Sequence, residues 1–305
     1  MINLILLGCG GNMPMPNRYL SSLFVNYRGR KILFDCGEGT QVSMRTRNCG
    51  FKNIDLICIS HLHGDHIMGL PGLLATIGSS SRTDALTIIG PSGIKDVMNA
   101  IMFLLEYLPY KINVIENPIG TFSLIDGYLK DIEISTIELE HSTECIGYSL
   151  YIKRTPKFNV EKATKNNVPK ILWQKLQCGK NIIFDNIEYS PNMVLGDDRK
   201  GLKISYITDT RPISDIPKFI NDSDLFVCEA MYGDDIDISK AVKNKHMTFR
   251  ETANLARLGN VDTLLLTHFS PSLENPFYFI QNATSVFKNT IIGEDGLEIS
   301  LNFNY

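Results

Sequence analysis

Hydrophobic and polar positions alternate along this chain in the rhythm of strands and helices from its first residues to its last. Residues 1–7 are an apolar run, residues 22–27 and 31–36 flank an Arg28-Gly29-Arg30 turn in the pattern of a hairpin, and residues 54–59 are short, apolar and β-branched, as in a buried strand. Pro71 stands early in the apolar run after Gly69, where a helix begins. Residues 85–90, 94–107 and 111–116 read as strand, half-buried helix and strand; residues 129–140 and 146–152 read as strands. Runs at 202–208, 224–229 and 261–267 repeat the strand pattern, and Thr248-Phe249-Arg250-Glu251 fits the capping box that opens a helix. A last helix is expected over about 275–287 and a last strand over 297–303. The class is α/β, one domain spanning 1–305 with an insertion.

Composition narrows the possibilities. With 305 residues, 44% hydrophobic and 21% charged, the chain can bury a full core, and no stretch resembles a flexible linker. No apolar run reaches the about 18 residues of a membrane span, and the first residues lack the basic flank of a signal peptide, so a cytoplasmic location without membrane contact is expected. Seven cysteines, an odd number without a C-x-x-C pair, suit reduced thiols, Cys58 and Cys228 among the core. Gly8-Cys9-Gly10-Gly11-Asn12 could suggest a dinucleotide loop, but Met13-Pro14-Met15-Pro16 breaks any following helix; no organic cofactor is expected. A net charge of −3 argues against a polyanionic partner until its distribution is considered. Residues 151–180 hold eight Lys/Arg against Glu161 alone, a window of +7 on a remainder of −10. A basic segment on an acidic body is the footprint of a polyanion.

The chemistry concentrates at Ser60-His61-Leu62-His63-Gly64-Asp65-His66, where a strand gives way to a helix. Imidazole is the commonest protein ligand for zinc-like ions, and this spacing lets His61 and His63 face one ion while Asp65 and His66 face a second. The stretch is similar to the H-x-H-x-D-H signature of the metallo-β-lactamase superfamily. His141, Asp209 and His268 each follow a strand-like run, as that superfamily requires, and His246 completes the six histidines.

Further motifs narrow the resemblance. Phe34-Asp35-Cys36-Gly37-Glu38-Gly39-Thr40-Gln41, followed in order by Tyr206-Ile207-Thr208-Asp209-Thr210, Cys228-Glu229-Ala230-Met231-Tyr232, His246-Met247-Thr248 and Leu266-Thr267-His268-Phe269-Ser270-Pro271, is similar to the ribonuclease Z family over essentially the whole chain. The resemblance implies a four-layer αββα sandwich of two mixed sheets with an inserted basic, tRNA-binding arm at about 153–185. It implies two Zn2+ per chain: His61, His63 and His141 at one, Asp65, His66 and His268 at the other, Asp209 bridging both. Asp65 would also accept a proton from water, with Glu229 and His246 as a further catalytic pair. The expected reaction removes the 3′ trailer from precursor tRNA, leaving a 3′-hydroxyl on the tRNA and a 5′-phosphate on the trailer, by an endoribonuclease of homodimeric habit. Lys153, Arg154, Lys157, Lys170, Lys175 and Lys180 are the candidate tRNA contacts. Where the family's bacterial arm carries Gly-Pro at its tip, this chain has Lys170-Ile171.

Two other readings compete. A hydrolase of the same fold acting on a small substrate would share the metals and not need the basic window. A non-catalytic RNA-binding protein with structural zinc would not need all seven ligands.

Overall fold

The structure, a computed structural model, describes residues 1–124, 129 and 131–303. In chain order its strands are β1 (Ile2–Gly8), β2 (Ser22–Tyr27), β3 (Arg30–Phe34), β4 (Ile54–Cys58), β5 (Leu86–Gly90), β6 (Ile112–Glu116), β7 (Gly120–Ser123), β8 (Ile132–Leu139), β9 (Cys145–Arg154), β10 (Ile182–Phe184), β11 (Ile187–Tyr189), β12 (Arg199–Ile207), β13 (Leu225–Glu229), β14 (Leu264–Thr267), β15 (Thr290–Ile292) and β16 (Glu298–Leu301). They form two mixed seven-stranded sheets, β16-β1-β2-β3-β4-β5-β6 and β15-β14-β13-β12-β9-β8-β7, and a ribbon β10-β11. In each large sheet one half is antiparallel and the other parallel: β3-β4-β5-β6 run together in the first, β12-β13-β14-β15 in the second.

The period-two pattern of the strands decides the layers. Ile32, Phe34, Leu56 and Cys58 share one core with Ile204, Tyr206, Phe226 and Cys228 of the other sheet. Their neighbours Leu33 and Ile57 face the opposite way, onto Leu73, Leu74 and Ile77 of helix Leu70–Ser79 and Met98 and Ile101 of helix Ile94–Leu105. The second sheet is covered by helix Phe249–Leu258 through Phe249, Ala253 and Ala256. The four layers are therefore helix, sheet, sheet, helix, as expected.

Several boundaries differ from the sequence pattern. The helix expected over 94–107 stops at Leu105, because Glu106 takes φ 58°, a left-handed conformation no helix continues through. The helix expected over 275–287 is a 3₁₀ turn, Pro276–Phe279, followed by the short helix Ile280–Thr284; Pro276 has no N–H, and the Asn275 side chain takes the Phe277 N–H instead. The strand expected at 129–140 is β8, and of its expected positions Lys130 lies outside the described residues. The strands β7, β10 and β11, of four residues or fewer, are too short to leave a periodic signal.

The chain divides into two compact units, Met1–Ile152 with Leu202–Tyr305, and Lys153–Gly201. The second has its own small core of Ala163, Val168, Leu172, Leu176, Tyr189 and Val194, with Phe158 and Trp173 against it. It extends past residue 185 because Tyr189 and Val194 belong to that core. Trp173 is a packing residue here: its indole N–H donates to the Val168 carbonyl at 3.0 Å and its ring lies 4.9 Å from that of Phe158. This unit carries ten Lys/Arg and five Asp/Glu, a net +5.

Helix Phe249–Leu258 begins with the capping box read from the sequence: the Glu251 N–H donates to Thr248 Oγ1 at 3.3 Å and the Thr248 N–H to Glu251 Oε2 at 2.9 Å. Thr248→Ala is expected to lower stability by about 1 kcal/mol, the usual value of such a cap, with Thr248→Ser close to wild type. Urea denaturation checks this, and an unchanged midpoint for Thr248→Ala would assign the helix start to tertiary packing alone.

Candidate metal centre

Three strands end in a residue that turns the wrong way for an ordinary L-amino acid. Asp35 after β3, Asp209 after β12 and His268 after β14 have φ of 53°, 46° and 58°. Such backbone is costly and persists where the surroundings hold it, commonly at functional sites. Here it bends the chain sharply at the carboxyl ends of parallel strands, where open α/β sheets place their ligands. The run after β4 supplies His61 and, at the N-cap of the short helix Gly64–Ile67, His63; Asp65 and His66 occupy that helix. β8 leads to His141, β13 ends on Glu229, and His246 precedes helix Phe249–Leu258. His61, His63, Asp65, His66, His141, Asp209, Glu229, His246 and His268 thus meet in one cluster of the first unit, with all but His63 buried. Lys153, Arg154, Lys157, Lys170, Lys175 and Lys180 belong to the second unit.

The outward nitrogens of three imidazoles settle what the inward ones present. His66 Nδ1 lies 2.8 Å from Asp35 Oδ2, which can only accept, so this nitrogen carries the proton. His61 Nδ1 is 3.0 Å from the Ser60 hydroxyl, whose own proton goes to Asp35 at 2.9 Å, and His141 Nδ1 is 3.3 Å from the Lys245 carbonyl. In the neutral rings, each Nε2 then turns a lone pair into the cluster. Those lone pairs face carboxylate oxygens: Asp209 Oδ2 is 3.6 Å from His61 Nε2 and 3.7 Å from His141 Nε2, and Asp209 Oδ1 is 3.4 Å from His66 Nε2; His268 Nε2 lies 3.1 Å from the same Oδ1. Asp65 Oδ2 adds 3.5 Å to His66 Nε2 and 3.4 Å to His268 Nε2. Lone pairs converging on carboxylates repel unless a cation lies between them, so the donor set fits metal. Asp209 gives one oxygen to each group, His61, His63 and His141 on one side, Asp65, His66 and His268 on the other.

Both carboxyls among the candidate ligands are held ionised. Burial pushes the Asp209 and Asp65 carboxyls up, but the surrounding imidazoles, His268 and His66 foremost, hold both well below the ordinary range. Glu229 is wholly buried and saturated: Oε1 accepts the Thr210 N–H at 2.7 Å and faces His246 Nδ1 at 3.1 Å, and Oε2 accepts the Met247 N–H at 3.1 Å. Burial lowers the His246 imidazole, yet the Glu229 carboxylate foremost, with Asp209 and Asp65, more than offsets it and lifts the ring to about 9. A ring nitrogen of His246 also lies within 4.8 Å of possible ligand atoms of Asp209 and His268. The centre opens into a cleft of 730 Å³, lined by Tyr232, Lys243 and Lys245 as well as Asp65 and His63.

The residues that orient the centre escaped the sequence reading. Asp35 sits inside a quoted motif, but its partners Ser60, His66 and Tyr206 are 25, 31 and 171 positions away, so no local pattern announces its role. Asn12, whose N–H donates to Asp65 Oδ2 at 2.6 Å, lies in the Gly-rich loop that had suggested a nucleotide. The signal there was Gly11: a Cβ on it would stand 2.5 Å from the His268 ring.

Comparison with known proteins agrees with this geometry. A family model described as "Anti-Pycsar protein Apyc1" matches residues 2–195. The ribonuclease Z of Clostridioides difficile (strain 630) is 67% identical over 304 residues, covering the whole of both chains. That of Clostridium beijerinckii is 60% identical over 306 residues, with 100% of this chain and 99% of the other covered. Among solved structures, human tRNase Z, short form, superposes with a TM-score of 0.70 at 24% identity, over 98% of this chain and 99% of that one. The metallo-β-lactamase fold protein YhfI from Bacillus subtilis gives 0.69 at 17%, over 98% and 100%. Fold and centre together define a metal-binding protein of the metallo-β-lactamase fold. The chain belongs to the ribonuclease Z family and, over residues 2–195, to the family that the Apyc1 model describes; it is a ribonuclease Z-type enzyme. Among the described residues no helix is long and apolar enough to cross a membrane.

Asp35→Asn tests the orienting role. The amide keeps the volume but can no longer accept from every donor around it, so His66 loses its fixed tautomer; a fall in metal affinity of about 10–100-fold is expected, measured by competition with a chelator. Undiminished affinity would make Asp35 a structural residue only.

Proposed function

We propose that this chain is a zinc-dependent endoribonuclease that removes the 3′ trailer from tRNA precursors, working in the cytoplasm as a homodimer. The observation that carries the chemistry is the division of Asp209, one carboxylate oxygen toward each trio of ligands. Family membership at 67% identity supports the substrate. Seven free cysteines, with no disulfide among the described residues, suit a reducing compartment.

His61, His63 and His141 would hold one zinc, Asp65, His66 and His268 the other, and Asp209 both. Two such cations supply Lewis acidity, lowering the pKa of water and neutralising the phosphodiester. The chain's own groups do the rest. Asp65 lines the cleft, and its Oδ2 is fixed by the Asn12 N–H, leaving Oδ1 to accept the proton of the attacking water. As the water oxygen bonds to phosphorus, the bond to the 3′-oxygen breaks. His246, held by Glu229 and charged near neutral pH, hands its proton to that oxygen. The products are a 3′-hydroxyl and a 5′-phosphate. Grip on the folded tRNA falls to Lys153, Arg154, Lys157, Lys170, Lys175 and Lys180, through phosphates and shape rather than base edges.

Incubation with a trailer-bearing precursor tRNA and with bis(p-nitrophenyl) phosphate tests the reading: a single cut with the stated ends, abolished by chelation and restored by zinc, is expected. Hydrolysis of the small ester beside an intact precursor would overturn it. Replacing Lys157, Lys170, Lys175 and Lys180 by Ala should weaken precursor binding and flatten its salt dependence by about one unit of slope per lost phosphate contact, while sparing the small ester. Equal losses on both substrates would make these lysines structural.

His246→Ala separates proton donation from structure. The 3′-alkoxide is a poor leaving group and nitrophenolate a good one, so about a hundredfold loss or more is expected on precursor and far less on the nitrophenyl ester. Matched losses would remove His246 from the acid role.

A further inference from the structure

A second hollow, of 260 Å³, adjoins the metal cleft and shares Met231 and Tyr232 with it as a common wall. Its floor is fixed. Gly233 lies so close to the Phe279 ring that a Cβ would stand 2.6 Å from it, and the Gly233 carbonyl accepts from Asn282 Nδ2 at 2.8 Å. Tyr278, on the 3₁₀ turn Pro276–Phe279, also lines it and is 80% exposed. The carboxylates of Asp234 and Glu274 also line the hollow. They repel a phosphate, so whatever enters beside a phosphodiester cleft should be the neutral part of a nucleotide, and those carboxylates can accept from the amino groups of a base. The position of the hollow says which base. The Tyr232 N–H donates to the Met247 carbonyl at 3.2 Å, beside His246, the residue assigned to protonate the departing 3′-oxygen.

We propose that this hollow is a subsite for the nucleobase immediately 5′ of the cut, stacked on Tyr278 over the floor of Gly233 and Phe279. The assignment rests on the endoribonuclease reading above. A π-face is offered by every base, so the subsite positions the ribose whose oxygen leaves without demanding one sequence.

The test compares wild type with Tyr278→Ala on two precursors, one intact and one abasic at the nucleotide 5′ of the cut, with a third abasic at the nucleotide 3′ of it. Tyr278 is exposed, so the variant should fold as wild type. On the intact precursor Tyr278→Ala is expected to lose about tenfold in kcat/KM, within the range of one lost stacking contact. On the 5′-abasic precursor both proteins should be equally slow, whereas on the 3′-abasic one the tenfold gap should persist. Bis(p-nitrophenyl) phosphate should be hydrolysed at one rate by both. A gap that survives loss of the 5′ base, or no gap on the intact precursor, overturns the subsite. Failure of wild type to cut any precursor would instead overturn the endoribonuclease reading.

Discussion

The buried carboxylate of Asp35 is the contact on which the rest of the centre depends. It accepts the Ser60 N–H at 2.7 Å, the Ser60 hydroxyl at 2.9 Å, His66 Nδ1 at 2.8 Å and the Tyr206 hydroxyl at 2.8 Å. Asp35 and Ser60 follow strands of the first sheet and Tyr206 lies in β12 of the second, so one charged group pins the two sheets at the end where the ligands emerge. A buried carboxylate without such donors would be strongly destabilising. With them it becomes a rigid reference point, and the tautomers of His61 and His66 follow from it. The same logic recurs at Glu229, whose backbone donors hold it in place to orient His246.

Strain and close approach complete that preorganisation. The left-handed residues Asp35, Asp209 and His268 are tolerated because each side chain is caught by several partners within the cluster. Gly11 permits its loop to lie on the His268 ring, and Gly37 and Gly69 allow backbone to pass backbone beside Asp65: a Cβ on Gly37 would meet the Asp65 carbonyl at 2.3 Å, and one on Gly69 the Gly37 carbonyl at 2.3 Å. Gly37 of the Phe34–Gln41 stretch is thus explained by close backbone approach, and Gly39 by its left-handed φ of 88° against the Tyr19 ring.

What the sequence could reveal follows from distance along the chain. His61, His63, Asp65 and His66 advertise themselves because four donors fall within six residues; His141, Asp209 and His268 end strand-like runs, but only the family resemblance singled them out. The strands were legible from the same periodicity, whereas their stacking into four layers was implied only by the family resemblance; the structure shows its physical basis in Leu33 and Ile57 alternating with Phe34 and Cys58 between two cores. Asp35, Tyr206 and Asn12 stayed hidden as functional groups because their partners are brought to them only by folding. The end of helix Ile94–Leu105 and the 3₁₀ turn at Pro276 were misjudged because one left-handed residue or one proline outweighs a favourable hydrophobic period.

Charge is divided unevenly along the chain, as the proposed division between substrate grip and bond cleavage would require. The segment Lys153–Gly201 carries +5, which leaves −8 on the remainder of the net −3. That remainder holds the cleft, where Asp65 and Asp209 belong to the groups that could hold metal and Glu229 orients His246. On its own such a surface repels a polynucleotide, and the repulsion reaches about one Debye length, roughly 8 Å at physiological salt. On the proposed reading, a chain that cuts a polyanion at an acidic centre needs its attraction supplied elsewhere, and the basic run within Lys153–Gly201 is the concentration of positive charge that could supply it. Substrate grip and bond cleavage then answer to different physics. The first should weaken with salt, and the second should depend on metal and on proton placement, because the residues that govern it are buried from the ionic atmosphere.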